Sequence, residues 1–151
     1  MSMLQAGRPP TKAVDVLVVG GAEQERKRLR DICTRTSWNL HEAPTISDSL
    51  AILASRAIGV VLCEPDLPDG DWKKLVQDVT CGAHAPPVIV FSYAPDERLG
   101  TEVMSLGGFD ILPIPFEKSE VIRTVGQAWR NWIWATPAGP ESDRFIRQSF
   151  P

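Results

Sequence analysis

The residues with most to offer chemically stand in the turns that close short apolar runs. Glu64, Asp66, Asp69 and Asp71 put four carboxylates into one loop. Carboxylates are hard oxygen donors that suit a divalent cation, but Pro65 and Pro68 interrupt the series and the spacing of a calcium loop is absent. Asp69 reads instead as the cap of the helix that follows. Ser92 ends an apolar run and carries a hydroxyl that bonds either to a nearby oxyanion or, more simply, to its own turn. Gly20-Gly21 precedes a helix and presents backbone amides, yet neither GxGxxG nor a P-loop lysine accompanies it, and a turn is the simpler reading.

Other reactive side chains lack companions. His41 and His84 stand apart, with no HExxH pattern and no neighbouring cysteine, so neither is assigned to a metal or to general-base work. Cys33, Cys63 and Cys81 are odd in number, without CxxC spacing, and lie in or beside apolar stretches, which fits a reducing cytoplasm. Cys63 ends an apolar strand, where a buried inert thiol is expected. No nucleophile elbow is present.

The elements that position these groups follow from hydrophobic periodicity. Residues 14–19 form a valine-rich run that stops at Gly20-Gly21, 38–43 read as a second strand before Pro44, and 58–63, 87–92 and 109–112 are three more short apolar stretches that end at turn residues. Between them, Leu29, Ile32 and Cys33 mark one buried helical stripe, with Arg26, Lys27, Arg28 and Arg30 on its solvated side. Ile46, Leu50, Leu53 and Ala54 mark a second, capped by Ser47 or Thr45. Residues 71–79 and 95–106 form two further helices, and Val121, Ile122, Val125, Trp129 and Ile133 mark a last one.

Five strands alternating with five helices, each strand nearly continuous in apolar residues, predict a parallel sheet covered on both faces. The fold class expected is α/β, a flavodoxin-like (βα)5 three-layer sandwich with strand order 2-1-3-4-5. Ligands of such folds sit beyond the carboxyl ends of the strands, so the loops after Val19, Cys63, Phe91 and Leu112 are where chemistry is to be sought. The division expected is a disordered extension over 1–12, one domain over 13–134, and a proline-rich tail without periodicity over 135–151.

Val16-Leu17-Val18-Val19, the turn Leu67-Pro68-Asp69-Gly70, Val88-Ile89-Val90-Phe91-Ser92 and the stretch from Gly107 through Phe109, Leu112 and Pro115 to Phe116 together resemble the receiver domain of two-component response regulators. The resemblance covers roughly residues 14–134 in the right order. It implies a phosphoacceptor aspartate after the third strand, an acidic pair after the first that shares a magnesium ion with it, and a lysine before a cis proline in the last loop.

This chain departs at each of those positions. The acidic pair aligns with Gly20 and Gly21, which have no side chain to ligate a cation. The phosphoacceptor position is Glu64, one methylene longer. That moves the nucleophile by about 1 Å, and a misplacement on this scale can cost about 10²-fold in rate. The lysine position is Ile114, and the aromatic switch residue corresponds to Ile111. Ser92 alone matches the family's small hydroxyl residue. The expectation is a pseudo-receiver with no catalytic residue, no cofactor and a lost magnesium site. Glu64 reads as a solvated loop carboxylate, or else as a fixed charge imitating a phosphorylated state.

Function is then expected to lie in protein contact. Trp129, Trp132 and Trp134 crowd the last helix at spacings that cannot all face one side, so at least one stands near the surface as a candidate interface, unless tail residues such as Phe145 and Ile146 cover it. Expected partners are a signalling protein such as a histidine kinase or a regulator, or a second copy in a homodimer. A formal net charge of −3 gives no support for nucleic acid or an anionic membrane as partner, and no apolar run is long enough to cross a bilayer. A cytoplasmic location is expected. Two alternatives remain: a working phosphoacceptor at Glu64 in a phosphorelay, and a small ligand held in the same crevice.

Overall fold

The computed structural model describes residues 14–80 and 84–135. The expected extension over 1–12, the tail beyond Ala135 with Phe145 and Ile146, and Cys81 lie outside the described residues. Valine-rich runs extend because β-branched side chains pack well on a pleated surface. They give β1 (Asp15–Val19), β3 (Val60–Cys63) and β6 (Val88–Ser92), flanked by the edge strands β2 (Asn39–Ala43) and β7 (Asp110–Pro113), which contain no valine. The helices between them are α1 (Glu23–Thr36), α2 (Ile46–Ser55), α3 (Trp72–Val79), α4 (Glu97–Ser105) and α5 (Lys118–Ala135).

The five strands form one parallel sheet in the order β2-β1-β3-β6-β7, which is the expected 2-1-3-4-5 arrangement. Its register pairs Val16 with Leu40 and Val60, and Val61 with Val88. Alternate residues of each strand therefore feed opposite faces. One face carries Val16, Val18, Leu62, Ile89 and Phe91 against Leu29 and Ile32 of α1 and Val121, Val125 and Ala128 of α5. The other carries Leu17, Val19, Val61 and Val90 against Ile46 of α2, Leu75 and Val76 of α3, and Val103 of α4. Every residue of β3 is buried, as befits a strand covered on both sides.

The acidic loop after β3 is more ordered than its composition suggests. Asp66–Leu67 (β4) and Gly70–Asp71 (β5) pair as a small antiparallel hairpin. The expected role of Asp69 is corrected here. Its carboxylate accepts from Ile46 N at 2.9 Å and Ser47 N at 3.0 Å, so it caps α2, the preceding helix. The cap of α3 is Asp71, which accepts from Lys74 N. Thr45, and not Ser47, is the local cap of α2, accepting from Asp48 N at 3.0 Å.

Candidate functional site

The carboxyl ends of β1, β3, β6 and β7 open onto one edge of the sheet, the edge that the topology predicts for a site. Between β1 and β3 lies a crevice of about 320 Å³ lined by Gly20, Gly21, Arg26, Glu42, Ala43, Pro44, Glu64 and Pro68. Gly20 and Gly21 both take left-handed backbone angles, φ +80° and +95°, which side chains strongly disfavour. Gly20 N donates to Ala43 O at 2.8 Å and Glu64 N to Val19 O at 3.3 Å, which fixes both turns to the sheet.

Glu64 turns back over Gly20. A methyl group built on Gly20 would meet Glu64 Oε2, and it would stand 2.8 Å from Glu64 Cδ and 2.7 Å from Leu67 Cδ2. The glutamate thus uses the volume that a side chain at position 20 would need. Beside it, a methyl group on Gly21 would stand 3.4 Å from Phe91 Cζ and 3.6 Å from Arg26 Cγ. From the three positions at which the resemblance places magnesium ligands, one carboxylate reaches the crevice. Among the described residues, no three histidine, cysteine or acidic side chains are grouped as a metal would need.

Of the basic residues expected on the solvated face of α1, Arg30 is exposed there and still pairs with Glu42, while Arg26 is half-buried and tied down. Arg26 Nε donates to Gly21 O at 3.1 Å, and its terminal nitrogens meet Glu23 at 2.9 Å and Glu42 at 3.4 Å. Arg30 Nε donates to Glu42 Oε2 at 2.7 Å. The Arg30 bond holds the Glu42 carboxyl below its ordinary range, with Arg26 adding to the effect. The crevice thus contains a cation that is part of the chain and already shared among a carbonyl and two carboxylates.

The remaining positions of the expected site also settle. Ser92 Oγ accepts from Ala94 N at 3.2 Å, bonding within its own turn. The Ile114–Pro115 peptide is cis, and Ile114 is 8% exposed, packed in the core with Phe116 and Phe91. Ile111 is half-buried and pairs with Val90 in the sheet. Burial drives the Cys63 thiol far above its ordinary range, reinforced by the charges of Glu64 and Asp71, and its Sγ donates to Glu64 O. Such a thiol is not a nucleophile.

The three tryptophans do not form one patch. Trp129 lies against the core over Gly59, where a methyl group would stand 2.7 Å from its Cδ1. Trp132 stacks on His84, centroids 4.2 Å apart and planes 7° apart, at the rim of a pocket of about 560 Å³. Only Trp134 of the three is exposed, at 82%. This end of α5 lies beside Gly59, which precedes β3, at the edge of the sheet opposite the crevice.

Two participants were missed in the sequence. Tyr93, directly after Ser92, donates its hydroxyl to Glu25 Oε2 at 2.7 Å, and Glu25 is 2% exposed. A glutamate in a charged helical turn reads as solvated, so only its two-turn alignment with Leu29 and Ile32 hinted at an inward face.

No family model matches the chain. Among curated proteins it is similar to the KDP operon transcriptional regulatory protein KdpE of Escherichia coli K12, with 28% identity over 126 residues. That match covers 83% of this chain and 56% of the relative, so the chain spans little more than half the length of the protein it matches. Among solved structures it is similar to a two-component response regulator from Clostridium difficile (TM-score 0.70, 17% identity, 78% of this chain and 96% of the other). It is also similar to the receiver domain of a LuxO repressor protein from Vibrio parahaemolyticus (TM-score 0.74, 13% identity, 81% and 94%). A third is the beryllofluoride-activated NtrC4 receiver domain dimer (TM-score 0.72, 19% identity, 78% and 98%). The chain has the fold of signal receiver domains.

Proposed function

We propose that this chain is a receiver-type signalling module that does not take a phosphoryl group in the usual way and acts through contact with another protein. The observation that carries the proposal is the Glu64 carboxylate lying over Gly20, in the volume a magnesium-ligating side chain would need. A carboxylate in that place lacks two of the three acidic groups that would hold a cation beside it. With Ile114 buried where a lysine would neutralise the phosphoryl group, the transfer lacks both of its positive charges. Arg26 does not replace them, since its donors are engaged with Gly21, Glu23 and Glu42.

A module of this kind has a fixed surface to present. The likeness to KdpE, a transcriptional regulatory protein, and to a receiver dimer supports a regulator or a second copy as the partner. No helix among the described residues is long and apolar enough to cross a membrane.

The test is intact mass after incubation with acetyl phosphate and magnesium. A Gly20→Asp, Gly21→Asp, Glu64→Asp, Ile114→Lys variant is run in parallel, with an active receiver domain as positive control. The expected result is no mass gain in the native chain. A gain of one phosphoryl group on the native chain overturns the proposal and makes Glu64 the acceptor to map.

A further inference from the structure

A second contact at the same edge of the sheet, between Tyr93 and Glu25, involves none of the residues that line the crevice. Tyr93 leaves β6 and Glu25 sits in the first turns of α1, which leaves β1; in the sheet, β1 and β6 flank β3. The Tyr93 hydroxyl donates to Glu25 Oε2 at 2.7 Å, so the bond joins the loop after β6 to the first turn of α1, across the strand that leads to Glu64. Gln24 Nε2, at 3.4 Å, is the other neighbour of Oε2, and Glu25 Oε1 is buried with no hydrogen-bond partner among the described residues.

The energetics of the two ends differ. Glu25 is 2% exposed and packed in α1, whereas Tyr93 as a residue is 62% exposed. Packing therefore does little to hold the tyrosine, and the hydroxyl is what fixes it. For the carboxylate the reverse holds: a buried acceptor already short of one partner depends strongly on its one short donor. The neighbouring hydroxyl of Ser92 is committed to Ala94 N within the same turn and ties the loop to nothing across the sheet.

We propose that the Tyr93–Glu25 bond is a strap, a two-state contact that fastens the loop between β6 and α4 to α1, and whose release frees that loop to change position. A partner that prefers the released loop works against this one bond, and removing the bond strengthens its binding by the same factor. The strap goes beyond the proposed function and does not depend on it, because a chain that accepted a phosphoryl group could carry the same strap.

Amide hydrogen exchange on the full chain, native and Tyr93→Phe, tests it, with the circular dichroism melt as a check of folding. The phenylalanine keeps the ring and removes only the donor. Exchange in residues 93–96 and 23–29 is expected to rise about tenfold or more in Tyr93→Phe, with β3 at native rates. Native rates in both segments overturn the strap. A rise spread equally over β3 overturns it as well, since the bond then serves only global stability.

Discussion

The Glu64 carboxylate stands over the Cα of Gly20, so the two positions share one volume: a methyl group at residue 20 would lie 2.8 Å from Glu64 Cδ. What residue 64 can be therefore depends on what residue 20 is. Placing an aspartate at 20 requires the glutamate to leave and Leu67 to shift, in addition to accepting φ +80°.

This coupling is measurable. Gly20→Ala should destabilise the fold by about 2–3 kcal/mol through overpacking and the left-handed backbone. In a Glu64→Ala background the same change should cost about 1 kcal/mol less, the non-additivity expected of touching residues. Urea unfolding of the four proteins in a double-mutant cycle gives the number, and simple additivity would mean that the carboxylate yields freely.

Two other glycines should respond in opposite directions. Gly59→Ala puts a methyl group 2.7 Å from Trp129 Cδ1 and should cost about 1–3 kcal/mol while shifting tryptophan emission as that ring moves. Gly100, inside α4, has nothing within 4 Å of a methyl group. Gly100→Ala should stabilise by about 0.5–1 kcal/mol through helix propensity. Thermal melts of both variants compare the two signs directly.

Asp69 gives stability an acid limit. The amides of Ile46, and then Ser47, hold its carboxyl below the usual range when folded. A depressed folded pKa contributes stability that is complete above the unfolded value, about 3.9, and is lost as pH falls through the folded one. Asp69→Asn should lower stability at neutral pH and flatten the stability curve below about pH 4. Equal acid slopes in the two proteins, from urea titrations between pH 2 and 7, would count against the cap.

The two thiols among the described residues should be silent in the native state. Burial pushes the Cys33 thiol up to about 11, and Cys63 is driven higher still. Iodoacetamide at pH 8 should leave both unmodified in the folded chain and label both in denaturant, read by peptide mass spectrometry. Labelling of folded Cys63 would show that its strand end opens.

The sheet was legible because β1, β3 and β6 are valine-rich apolar runs, a pattern that burial on both faces imposes, whereas the edge strand β2 is polar and half-buried and is marked mainly by its place in the alternation. Strand order followed from the alternation of elements. The side-chain commitments at the crevice were less legible. Asp69 reads as a cap for the helix after it, and its reach back to α2 depends on the hairpin formed by β4 and β5, a tertiary event that no local window records. Arg26 reads as solvated on a helix of poor apolar content, until β2 brings Glu42 alongside. Glu25 and Tyr93 lie 68 positions apart, and nothing in either neighbourhood announces the other. The three tryptophans read as unable to share one side, with at least one near the surface; that one is Trp134, because Gly59 gives Trp129 room to turn inward and His84 stacks on Trp132.

The core on the α1 face has a temporal consequence. It joins Val16 and Leu29, from the start of the described chain, to Val121, Val125 and Ala128 of its last helix. During vectorial synthesis the sheet strands emerge first, with α5, one of the two helices that cover this face, still to follow. The nascent domain must carry an open hydrophobic face until the ribosome has passed residue 128, and it is then that a chaperone has something to hold.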